Sequence, residues 1–153
     1  MLKFTDTEVV FKEIPDEITL AINISNCPFH CPGCHSPELW EDVGNILNQE
    51  SLFKLIEKNK GISCVSFMGG DIDIESLNTL FQFIKKEFPE LKVAWYSGRD
   101  HISDEVNLNY IDFIKIGSYR KDLGGLEKRT TNQIMYKIDS DLNLINITNL
   151  FWK

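Results

Sequence analysis

Glu17-Ile18-Thr19-Leu20-Ala21-Ile22-Asn23-Ile24, running directly into Ser25-Asn26-Cys27, is the stretch on which the fold turns. Ile18, Leu20, Ile22 and Ile24 occupy alternate positions, the period of a β-strand. The opposite face carries Thr19, Ala21, Asn23 and Ser25, all small or polar. That asymmetry predicts a strand with helices on one face and a cavity on the other. Downstream, a loop rich in Pro, Gly and Cys runs from Asn26 to Pro37. A helix is predicted over 49–59, with Leu52, Phe53 and Ile56 on one side, then a strand over 62–68 ending at Gly69-Gly70. Ile74, Leu77, Phe81, Ile84 and Phe88 recur at helical spacing over 73–88, and Pro89 marks the stop. Strands over 91–97 and 111–117 follow. Residues 118–133 read as an irregular charged loop, and 134–138 with 142–148 as a hairpin turning at Asp139-Ser140-Asp141.

Strands that alternate with helices imply βαβ units and a largely parallel sheet. A chain of 153 residues is too short for a complete eight-fold barrel, which needs about 250. The expected fold is therefore α/β: a curved partial (β/α) barrel with a mostly parallel sheet and a C-terminal hairpin, one domain over 1–153. Sites in such sheets form at the carboxyl ends of the strands. The cysteine loop, Gly69-Gly70, Ser97-Gly98 and Gly117 are all predicted to lie there and to converge on one edge.

Composition narrows the function. Hydrophobic residues make up 42% of the chain, enough for a core. Ten Phe are present, yet no apolar run reaches bilayer-spanning length. Met1-Leu2-Lys3-Phe4-Thr5-Asp6 lacks the apolar segment of a secretory signal, so a cytoplasmic protein is expected, with no membrane partner. The net charge of −7 argues against nucleic acid, which calls for a clustered basic face. Arg120-Lys121 and Lys128-Arg129 are the main basic concentration, and Asp122 and Glu127 interrupt it.

Three of the four cysteines fall in Cys27-Pro28-Phe29-His30-Cys31-Pro32-Gly33-Cys34, a C-x3-C-x2-C spacing. In a reducing compartment such a cluster binds metal more often than it forms disulfides. Three thiolates suit three irons of a 4Fe-4S cubane. Cys64 lies inside the apolar run Ile62-Ser63-Cys64-Val65-Ser66-Phe67 and reads as a buried small hydrophobe rather than a fourth ligand. One iron would stay open to a substrate such as S-adenosylmethionine (SAM), chelated through its amino and carboxylate groups. A zinc site using His30 or His35 is the plainer alternative. Adjacent residues chelate one ion awkwardly, however, and no second C-x2-C pair is present.

The motif after the first strand resembles the radical SAM superfamily signature. Cys31-Pro32-Gly33-Cys34-His35-Ser36-Pro37-Glu38-Leu39-Trp40 is similar to its glycyl-radical-activating branch, above all the group that activates anaerobic ribonucleoside-triphosphate reductase. Phe67-Met68-Gly69-Gly70-Asp71, Trp95-Tyr96-Ser97-Gly98 and Thr130-Thr131-Asn132-Gln133 extend the resemblance along most of the chain. Ile72 stands where many relatives have Pro, and Gly33 where many have an aromatic residue. The resemblance implies a cluster on Cys27, Cys31 and Cys34. It implies SAM held near Gly33, Cys34, His35, Gly69, Gly70, Asp71 and Ser97, its ammonium on the Gly-Gly carbonyls. Asp71 either complements charge or caps the helix near Asp73, and His35 supports the cluster or SAM. Trp40 packs against the cluster loop, marks a partner-facing surface, or simply packs in the core. No catalytic residue beyond cluster and SAM is implied.

The implied reaction is reductive cleavage of SAM and hydrogen abstraction from a glycine of a partner glycyl-radical enzyme, foremost that reductase. An electron donor such as a flavodoxin or ferredoxin would supply the electron. A pyruvate formate-lyase type activase and a non-enzymatic Fe-S carrier are the competing readings. Two local expectations complete the reading. Alternation over Ile111–Gly117 sets Lys115 opposite Ile114 and Ile116, either facing inward toward the SAM carboxylate or solvated on an edge strand. Gly124-Gly125 gives the loop over 118–133 mobility, as either a tolerated surface connection or a lid or docking segment for the partner's glycine loop.

Overall fold

A computed structural model of the chain describes residues 1–29 and 40–152. The stretch around Leu20 forms strand β2 (Thr19–Ile24). In the chain it follows β1 (Leu2–Val10) and precedes β3 (Asn45–Leu47) and α1 (Gln49–Lys58). Then come β4 (Cys64–Met68), α2 (Ile74–Glu87), β5 (Lys92–Tyr96), β6 (Phe113–Ile116), β7 (Ile134–Ile138) and β8 (Leu144–Asn146). All eight strands join one sheet in the order β3-β1-β2-β4-β5-β6-β7-β8.

The predicted mostly parallel, curved partial barrel is not what the chain forms. Parallel pairing is confined to the central β2, β4, β5 and β6. The neighbours on both sides, β1 and β3 at one end and β7 and β8 at the other, run antiparallel. The reason is connection length and content. A parallel crossover takes a dozen or more residues, usually a helix. Only 11–18 separate β1 from β2, and 117–133 between β6 and β7 holds no helix. The result is a mixed sheet in which α1 and α2 are the only α-helices among the described residues. The C-terminal hairpin is present as β7 paired with β8.

Both helices form where their spacing and caps dictate. Asn48 accepts from Ser51 N at 2.9 Å, and the Ser51 side chain accepts from Asn48 N, a reciprocal cap that starts α1. Asp73 caps α2 through Ser76 N at 3.1 Å, and α2 ends just ahead of Pro89. Their apolar stripes, Leu52 and Ile56 on α1, and Ile74, Leu77, Leu80, Phe81 and Ile84 on α2, pack on Leu20, Ile22, Val65, Phe67, Val93, Trp95 and Ile114. Phe81 meets Phe67 edge to face at 5.3 Å. Burying a side chain of this size stabilises by about 1.5–3 kcal/mol. Ile18, predicted to share this face, lies just before the strand and is exposed.

The other face splits into two parts. Ile14, Cys64, Ala94, Phe113, Leu126 and Met135 form a second core. Toward the carboxyl ends a cavity of about 480 Å³ opens, lined in part by Tyr96, Lys115, Gln133, Leu126 and Phe151. The cavity predicted from the small face of β2 thus lies farther along the sheet, over β5 and β6.

Candidate iron-sulfur centre

The cysteine segment leaves the carboxyl end of β2 through a closed neck. Ser25 is buried; its N–H donates to Lys3 O at 3.0 Å and its hydroxyl to Val43 O. Asn26 adopts φ 61°, and its N–H donates to Glu41 O at 2.9 Å. The chain therefore departs and returns at one point. Cys27, half-buried, is the one cysteine of the C-x3-C-x2-C run among the described residues, and it lies at this edge. Cys31, Gly33, Cys34 and His35 lie outside the described residues. Trp40, at the return, is half-buried.

Gly69-Gly70 sits at the same edge, at the end of β4. Both glycines have left-handed φ, 106° and 92°. A Cβ on Gly70 would stand 3.0 Å from Leu77 Cδ1 and 3.2 Å from Ile24 Cδ1, so the turn fits between α2 and β2 only without a side chain. Trp95 Nε1 donates to Gly69 O at 2.7 Å. A carbonyl has two lone pairs, so one remains for a ligand.

Asp71 is buried and does not cap α2; Asp73 does. Instead Asp71 reaches the next strand end. The Ser97 hydroxyl donates to Asp71 Oδ1, and Gly98 N–H donates to Oδ2 at 3.1 Å. Arg99 Nε lies 3.6 Å from Oδ1. Phe29, two residues beyond Cys27, rests on Gly98: a Cβ there would fall 2.6 Å from the Phe29 ring. The loops after β2, β4 and β5 therefore meet, as the strand order predicts. Phe29 and Arg99 are contacts the sequence reading missed, whereas Gly98 was expected at this edge. Only the position of Gly98-Arg99 beside Ser97 hinted at them.

Lys115 lies on β6 between β5 and β7, so it is on no edge strand. It is buried opposite Ile114, faces the cavity, and donates to Ser97 O at 2.9 Å and Gly117 O at 3.0 Å. Its ammonium lies 5.7 Å from the Tyr96 ring centre. The Tyr96 hydroxyl donates to Glu13 O, and burial, with the Glu13 carboxylate adding to it, raises its pKa.

Cys64 lies at the other end of β4, paired with Thr19. Four residue steps at about 3.3 Å each put it roughly 13 Å from the Met68 end. It is fully buried, and burial above all pushes its thiol up to about 12, so it carries no thiolate at neutral pH. Of the four cysteines, then, at most three can serve a cluster at the Cys27 edge.

The loop over 118–133 is braced rather than loose. Thr130 Oγ1 donates to Leu123 O at 2.6 Å, Thr131 Oγ1 to Gly124 O at 3.0 Å, and Asn132 Nδ2 to Ser118 O at 3.0 Å. Leu126 is buried. The Thr-Thr-Asn-Gln run thus serves as the loop's internal frame.

No helix among the described residues is long and apolar enough to cross a membrane. Neither the curated proteins nor the solved structures give a match to the chain. A family model described as a 4Fe-4S single cluster domain matches residues 18–138, from β2 to the end of β7. The donor chemistry agrees with it: Cys27, the first of the C-x3-C-x2-C cysteines, lies at the sheet's carboxyl edge beside side-chain-free turns, and the Cys64 thiol is protonated and remote. The chain belongs to the 4Fe-4S single-cluster-domain family.

Proposed function

We propose that this iron-sulfur protein is a radical SAM activating enzyme acting in the cytoplasm, with Cys27, Cys31 and Cys34 as cluster ligands. When bound, cluster and SAM supply one-electron cleavage of the sulfonium, giving methionine and a 5′-deoxyadenosyl radical that takes a hydrogen atom from a partner's glycine. The partner is a glycyl-radical enzyme, in first place anaerobic ribonucleoside-triphosphate reductase, and a flavodoxin- or ferredoxin-like protein supplies the electron. The chain's own residues bind and orient. Gly69 and Gly70 present backbone at close range, Asp71 holds that turn, Gly33 and His35 flank the cluster, and Lys115 sets a positive charge beneath the edge for the SAM carboxylate.

The observation that carries this reading is the remoteness of Cys64. A ferredoxin-type carrier closes its cubane with four thiolates. Here the fourth cysteine is walled into the sheet at the far end of β4, which supports a cluster with one iron left for a substrate. The test is anaerobic reconstitution with iron and sulfide, then SAM and dithionite. Release of 5′-deoxyadenosine, and a glycyl signal by electron paramagnetic resonance once the reductase is added, are expected. A stable, reducible cluster that never cleaves SAM would make the protein a carrier instead.

A further inference from the structure

We infer that Ser97 and Arg99 are positioning residues that latch the Gly-Gly turn to the cysteine segment, and so fix the spacing between SAM and the cluster. The inference rests on the radical SAM reading. Its geometry stands on three strand ends. The Ser97 hydroxyl hydrogen goes to Asp71, and its oxygen accepts from Arg99 N–H at 3.1 Å, so the hydroxyl is engaged within the protein. The Arg99 guanidinium grips Asp71 twice, through Nε at 3.6 Å from Oδ1 and a terminal nitrogen donating to Asp71 O at 3.3 Å. Arg99 O in turn accepts from Gly117 N–H, which ties the latch to the end of β6. On its outer side, Gly98 carries the Phe29 ring of the cysteine segment.

The Asp71 side chain is 2% exposed, while Arg99 remains 42% exposed. A buried carboxylate gains most from charge-assisted partners, and losing one leaves it costly to bury. Loosening Asp71 would free the Gly69-Gly70 turn on one side and the bed of Phe29 on the other. Chemistry on SAM depends on distance, so a shift of about 1 Å can lower the rate by as much as 100-fold.

The test compares Ser97→Ala, Arg99→Met and the double variant as cluster-loaded protein, each with iron content checked. SAM affinity should fall about tenfold in each single variant, and the double should be little worse than either, since partners in one network are not additive. The SAM-induced change in the cluster's paramagnetic spectrum should shrink in parallel. Arg99→Lys, which keeps the charge, should recover part of both. Amide exchange at Gly98, measured without SAM, should quicken in Ser97→Ala. Faster exchange with unchanged affinity and spectrum would reduce the latch to a structural tie and overturn the inference. Unchanged exchange would overturn the latch itself. If the parent protein bound no SAM, the enzyme reading would fall, and the exchange result would still judge the latch.

Discussion

Three side chains carry most of what can be tested one residue at a time. On the proposed ligand set, Cys27→Ala removes a thiolate at the sheet edge and should strip most iron and all SAM cleavage. Cys64→Ser should keep the full iron content; its buried hydroxyl should lower stability by about 1–3 kcal/mol, read from the urea midpoint. Loss of iron in the Ser variant would bring Cys64 into the cluster. Lys115→Met keeps most of the stem but withdraws a donor from Ser97 O and Gly117 O. SAM affinity should drop by roughly tenfold or more, about 1.4 kcal/mol. Normal affinity with a full cluster would remove Lys115 from the site. The placement of Lys115 opposite Ile114 and Ile116 was legible, because strand alternation is a local rule; that β6 is not an edge strand was not. Nor was the grip of Arg99 on Asp71. It joins residues 28 apart on separate loops, and no periodicity encodes such a contact.

Among the elements, α2 offers a pH test. Its cap, Asp73, is held below the usual carboxylate value of 3.8 by the N-terminal amine at 2.7 Å first, and by Ser76 next. A depressed folded value means that its stabilisation is present above the unfolded value and disappears as pH falls through the folded one. Asp73→Asn should therefore be less stable than the parent at pH 6, with the difference closing below pH 4; a constant offset in denaturation midpoints would refute this. The braced loop makes a second test. Shortening it through Gly124-Gly125 should reduce partner activation while sparing uncoupled SAM cleavage; equal losses in both assays would count against docking. The helices were readable because stripe, cap and stop agree over several turns. Strand β1 was not. Its register shifts between Phe4 and Asp6, and Thr5-Asp6-Thr7-Glu8 carries no apolar alternation. β3 spans only three residues.

For the molecule as a whole, the central strands and the C-terminal hairpin were recognised, while the antiparallel flanks of the sheet were not, because pairing direction depends on what the connections contain. The mixed sheet has a stable middle and thin margins. β2, β4, β5 and β6 are almost wholly buried, whereas all three residues of the edge strand β8 are exposed. Native-state hydrogen exchange should be slowest across those four strands and fast in β8. A protected β8 would show that this edge is covered in solution. The burial of Cys64 has one more use. A thiol sealed in the sheet and protonated at neutral pH can meet an alkylating reagent only when the sheet opens. Pulse labelling at this position, counted by mass, turns the residue into a clock for global opening. Run with and without iron, that clock would tell whether the metal centre sets the lifetime of the fold or merely rides on it.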